Sequence, residues 1–216
     1  MNIRTYIIVA LILYSGMILG CSQKSNEAVW TANNNSEAPT KTQEPATESY
    51  DFRRVTWGMS RDQVKATEPT PPLVSDSEMI GYKTEVARKD AYCMYGFVDD
   101  KLAVGMYQFK DLHSNKNDYF EDFAQLKKML TEKYGTPQVD EVEWKKKTYK
   151  DNPEHWGMAV GLGELKYRAK WETERTNILL LLYGNNFDVT LMARYDSKEF
   201  RPLFDEVAKK KGRSDF

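Results

Sequence analysis

The stretch Thr176-Asn177-Ile178-Leu179-Leu180-Leu181-Leu182-Tyr183-Gly184-Asn185-Asn186-Phe187-Asp188-Val189-Thr190-Leu191-Met192-Ala193-Arg194-Tyr195 decides the fold class. Ile178 to Leu182 are five aliphatics without a polar break, the pattern of a strand covered on both faces. Gly184-Asn185-Asn186 has the chemistry of a turn. Beyond it Phe187, Val189, Leu191, Ala193 and Tyr195 alternate with Asp188, Thr190, Met192 and Arg194. That period of two predicts a strand with one apolar side. Just upstream, Tyr167, Ala169, Trp171 and Thr173 alternate in the same way with Arg168, Lys170 and Glu172. The last third of the chain is therefore β.

Further upstream the period changes. Tyr119, Phe123, Leu126, Leu130 and Tyr134 are spaced four, three, four and four apart, one apolar stripe of a helix over 115–135. Gly135 suits the position after the helix, and Pro137 stands just beyond it. Between this helix and the β third, Val139 to Tyr149 reads as an edge strand, because Lys145, Lys146 and Lys147 deter edge-to-edge pairing. Asn152-Pro153 predicts the start of a short helix. A last helix follows Ser197 and Pro202, with Leu203, Phe204 and Val207 expected on its packed face. Its Lys209-Lys210-Lys211 falls where the helix dipole favours cations.

The region before residue 115 repeats the arrangement. Ser60, with Gln63 three residues on, predicts a capping box, and Glu68-Pro69 ends that helix. Three strands follow, Ile80 to Val86, Ala91 to Val98 and Leu102 to Phe109, with Asp99-Asp100 as a turn. A helix followed by an antiparallel meander thus occurs twice, in pseudo-repeats 50–112 and 113–216. The expected class is α+β, antiparallel meander sheets with packed helices.

The amino terminus carries a different message. Arg4 is followed by an apolar run from Tyr6, then by small residues up to Gly20 and by Cys21. A basic start, an apolar run and small residues at the cut make a signal peptide over 1–20. Ile18-Leu19-Gly20-Cys21 resembles a lipobox, which implies acylation of Cys21 and a membrane anchor made of lipid. The apolar run to Leu19 is shorter than the roughly 20 residues of a membrane-spanning helix. Residues 21–49 are rich in Ser, Thr, Asn, Glu and Pro, with Trp30 as the one large side chain. Such a tether cannot bury enough apolar surface to fold. The folded part is then a single domain over 50–216. Ser22 lacks the acid that resembles an inner-membrane retention signal, so the expected place is the outer membrane, facing the periplasm.

Trp57-Gly58-Met59-Ser60-Arg61-Asp62-Gln63-Val64, followed by a helix and a meander, resembles the opening of many bacterial lipoproteins. Its Gly-Met-Ser…Gln-Val core is similar to the helix start of small lipoproteins of the outer-membrane barrel-assembly machinery and of the related β-lactamase-inhibitor-protein-like fold. The resemblance implies a protein-binding scaffold without chemistry of its own. It covers about eight residues and the order of elements. The assembly lipoproteins are shorter and carry one such unit, and Glu68-Pro69 stands near where they have glycine-x-proline.

Charge excludes one class of partner. The chain has net charge −1. Loss of Arg4 with the signal takes it to −2, and the tether accounts for that −2 with Lys24 and Lys41 against Glu27, Glu37, Glu44 and Glu48. The domain is neutral overall and has no electrostatic footprint for nucleic acid.

Chemistry is sparse. Cys93 is the one cysteine left after Cys21, and His113 and His155 are the two histidines. A Cys93–His pair is the candidate nucleophile and base, against which stands a small cysteine buried in a strand. No Cys-x-x-Cys or His-x-x-x-His calls for a metal. Gly161-Leu162-Gly163 lacks the third glycine of a dinucleotide loop, and no cofactor is expected. Asp140, Glu141 and Glu143, or Asp99 with Asp100, are the candidate acid pairs. Trp144, Trp156 and Trp171 lie in consecutive segments and form the candidate binding patch, tryptophan being enriched at interfaces. The expected function is a membrane-tethered, non-enzymatic lipoprotein that binds a protein partner in the envelope. The alternative is a small-molecule-binding or enzymatic domain with a pocket between sheet and helices.

Overall fold

The structure is a computed structural model and describes residues 50–214; the expected signal peptide over 1–20, Cys21 and the expected tether to residue 49 lie outside the described residues. Residues 50–216 form one folded unit. Helix α1 (Arg61–Thr67) is followed by strands β1 (Val74–Ser75), β2 (Met79–Val86), β3 (Lys89–Val98) and β4 (Lys101–Phe109). Helix α2 (Asp118–Tyr134) is followed by β5 (Val139–Trp144), a 3-10 turn (Pro153–His155), helix α3 (Trp156–Gly161), β6 (Leu165–Glu172), β7 (Thr176–Asn185), β8 (Asp188–Ser197) and helix α4 (Arg201–Ser214).

All eight strands join one antiparallel sheet in the order β1-β2-β3-β4-β8-β7-β6-β5. Each half contributes a helix and then four strands, and the last strands of the halves meet at the centre. There Val104 stands opposite Asp196 and Tyr107 opposite Ala193. β1 has two residues and follows Pro71 and Pro72, too short for its pattern to register in the sequence.

Local chemistry explains the elements. α1 starts with the expected capping box: the Ser60 hydroxyl accepts from the Gln63 amide, and the Gln63 side chain accepts from the Ser60 amide. α2 ends at Gly135, whose φ of 82° suits a residue without Cβ. Its first-turn neighbour Asn117 does not cap it. The Asn117 Oδ1 instead accepts from the Gly157 amide at 2.6 Å, tying α2 to α3. Two-residue hairpins at Ala87-Arg88, Asp99-Asp100 and Asn186-Phe187 all have positive φ.

The core lies between one side of the sheet and α2 with α3. Ile80, Tyr82, Cys93, Tyr95, Leu165, Ala169, Trp171, Ile178, Leu180, Leu182, Leu191 and Tyr195 meet Tyr119, Phe123, Leu126, Ala159 and Val160 there. Near the seam the Phe52 ring packs against Tyr95, Tyr107 and Tyr195, with centroids 4.9–5.6 Å away. Gly105 makes room for it, since a Cβ there would stand 2.3 Å from the ring.

Two sequence expectations need correction. Arg194, expected on the polar side of β8, is buried, as is Met192 beside it, so this strand is covered on both sides. Arg194 is held by Asp196 at 2.8 Å, and Arg201 of α4 reaches the same carboxylate at 2.6 Å. In α4 the packed face is not Leu203, Phe204 and Val207 together. Phe204 turns inward against Gly96, while Leu203 and Val207 are 39% and 43% exposed. The Arg201–Asp196 pair lies on the inward side of the helix together with Phe204.

Candidate functional site

Trp144 ends β5, the strand at one border of the sheet, and Trp156 opens α3. Their rings meet edge to face with centroids 5.8 Å apart. The Trp156 Nε1–H donates to the Lys150 carbonyl at 3.1 Å. Phe120 of α2 touches both Trp156 and Tyr167, and Tyr149 stacks on His155. Trp144, Trp156 and Tyr149 are partly buried, each with one side on the core. Val142, two residues before Trp144 on the same side of β5, is exposed.

Trp171 does not belong to this group. It is 1% exposed, and its Nε1–H donates to the Gly135 carbonyl at 2.9 Å. Its alternation with Lys170 and Glu172 was the signal, because it shares the inward side of β6 with Ala169. The candidate patch is thus two tryptophans, and the third is core.

The sequence did not reveal a second apolar spot on the other side of α3. Met158, Leu162 and Phe187 are exposed, Phe187 by 52%. The Phe187 amide donates to the Gly161 carbonyl at 2.9 Å, so the β7–β8 hairpin tip abuts the end of α3. Gly163, with φ 72°, ends α3 beside the Gly184 carbonyl, where a Cβ would stand 2.8 Å away. Gly161-Leu162-Gly163 is therefore a helix stop.

Two buried polar clusters were also missed. The Arg53 guanidinium binds Glu68, with Nε to Oε1 at 3.0 Å, and reaches the Thr84 hydroxyl at 3.0 Å. Tyr95 donates to the same carboxylate. Cys93 lies at this cluster, fully buried in the strand. Burial pushes its thiol up to about 12, against the lowering influence of Arg53 and Tyr95, so it carries almost no thiolate near neutral pH. Burial raises Tyr95 and Tyr107 as well. The second cluster centres on Asp122, which takes Lys89 at 2.5 Å and His113 at 2.7 Å. Burial alone would raise the Asp122 carboxyl, but the hydrogen bonds from Lys89 and His113 outweigh it and hold the group below its ordinary value.

The histidines are thus engaged with Asp122 and Tyr149, and the groups acting on Cys93 are Arg53, Tyr95 and Glu68. The candidate acids are engaged too. Asp140 binds Lys127, Glu141 binds Arg168 and Glu143 binds Lys166, while Asp99 and Asp100 form a hairpin turn. Among the described residues no group of three or more His, Cys, Asp and Glu side chains is placed to hold a metal ion. No family model, curated protein or solved structure matches the chain.

Proposed function

We propose that the protein is a lipid-anchored, non-enzymatic binding protein of the bacterial envelope, which meets a protein partner at the β5–α3 corner. The observation that carries this reading is the half-buried Trp144–Trp156 pair at the end of a border strand. Rings fixed on one side by the core and open on the other offer a rigid apolar surface at little entropic cost. Exposed Met158, Leu162 and Phe187 give α3 a second, separate apolar spot. Trp171, Tyr195, Phe123 and Leu126 are buried together in the core between sheet and helices, which favours a contact on the outer surface. The likeness of the Trp57–Val64 opening to barrel-assembly lipoproteins points the same way.

Two experiments test the proposal. Crosslinking in intact cells, then capture of the tagged full-length protein, is expected to yield one stoichiometric envelope partner. Trp144→Ala with Phe187→Ser should reduce its recovery at least tenfold while the thermal midpoint stays within a few degrees. Recovery of the chain alone, or a partner unaffected by the double change, rejects the corner. Cys21→Ser should leave the precursor unprocessed or release the protein from membranes. Normal processing with retained membrane attachment rejects the anchor.

A further inference from the structure

The unexpected rotation of α4 gives that helix an outward face with its own chemistry. Leu203, Val207 and Lys210 follow a spacing of four and three, which places them on one stripe. Leu203 and Val207 are exposed, as are Lys209 and Lys210. The inward side holds Phe204 against Gly96 and Arg201 on Asp196 and Asp205. Packing therefore uses up one side of the helix and leaves an apolar pair followed by lysines on the other.

Charge is concentrated in the same place. The fourteen residues of α4 contain Arg201, Lys209, Lys210, Lys211 and Arg213 against Asp205 and Glu206, a net +3. The rest of the neutral 50–216 unit then carries −3. The helix dipole accounts for cations at a helix end. It does not account for two aliphatic side chains left in water one and two turns before them. Apolar groups on the outward face of a helix, with lysines that reach past them, fit the boundary between an acidic headgroup layer and acyl chains. Lysine stems lie along apolar surface while the ammonium stays among phosphates.

We propose that the outward face of α4 rests on an anionic lipid bilayer and orients the domain on the membrane that anchors it. The proposal builds on the lipid-anchored reading. A lipid at Cys21 would restrict the helix to the neighbourhood of the bilayer, so a contact too weak to recruit a free protein would still be occupied.

The test uses the full-length protein purified from membranes and reconstituted into vesicles. Val207→Cys gives a site for a nitroxide label, since Cys93 is buried. In vesicles containing phosphatidylglycerol the label should be reached by oxygen and shielded from a water-soluble nickel reagent. The oxygen-to-nickel accessibility ratio should fall severalfold in pure phosphatidylcholine, in high salt, and when Lys209, Lys210 and Lys211 are all changed to Gln. A label at Met129, exposed on α2, serves as the aqueous reference. A position 207 label as accessible to nickel as the one at 129 in anionic vesicles overturns the proposal, and the lysines then serve only the helix end. A label shielded equally in both lipids also overturns it. The mass of the purified protein, and labelling at Cys21 if that residue is unmodified, show separately whether the anchor reading holds.

Discussion

The two halves of the sheet have the same order of elements and solve the same covering problem with different materials. In the second half a 17-residue helix lays Tyr119, Phe123 and Leu126 over Trp171, Leu180 and Leu182, and the contact is apolar. In the first half the helix has seven residues, of which Val64 is buried. That helix is too short to cover four strands. Phe52, Val55 and Trp57 from the lead-in segment fill part of the gap, and the Arg53–Glu68 pair with Tyr95 and Thr84 fills the rest. A buried pair gains little net stability, since desolvation offsets most of the attraction, but losing one partner is costly. The first half is thus more exacting about which residues stand where, and the second more tolerant of apolar exchange.

The largest effect is expected in the apolar half. Trp171→Ala removes a fully buried ring and leaves Gly135 without its donor, and should cost about 4 kcal/mol in denaturant unfolding. A loss under about 1 kcal/mol would mean that α2 collapses onto the sheet without it. Next comes the polar half. Glu68→Ala should cost about 3 kcal/mol, because it strands the Arg53 guanidinium, whereas Arg53→Met with Glu68→Leu should recover most of that loss. A double variant as unstable as the single one would show that the pair is worth more than its packing volume, and the contrast between the halves would fail.

The smallest effect concerns the junction of the halves, where Lys89 of the first and His113 with Asp122 of the second meet. The carboxyl of Asp122 is depressed, so its contribution is complete above the ordinary carboxylate pKa of about 4 and is lost as pH falls through the folded value. Asp122→Asn should therefore lower stability by roughly 2 kcal/mol at neutral pH. The gap to the natural protein should narrow in acid below about pH 4. A gap independent of pH would assign the effect to packing.

The contrast also explains what could be read in the sequence. β7, β8 and α2 were legible because their signals are local: an aliphatic run, an alternation and a stripe, each in consecutive residues. The seam between β4 and β8 was not, since no pattern in either strand names its partner. Arg53 and Glu68 are fifteen positions apart, one with a left-handed backbone and the other capping a helix, and no periodicity connects them. Among the tryptophans, Trp171 was readable as inward from its own strand. The meeting of Trp144 and Trp156 depends on how the 3-10 turn brings α3 back to the end of β5, which is a property of the loop.

The position of the seam also sets an order of events. Each meander pairs neighbours in the chain, but Val104 must find Asp196, about ninety residues away, and such distant pairings close late. A chain that emerges from its amino end completes β4 long before β8 exists. Until then β4 presents an open backbone edge beside Val104 and Met106, the kind of surface on which chains aggregate.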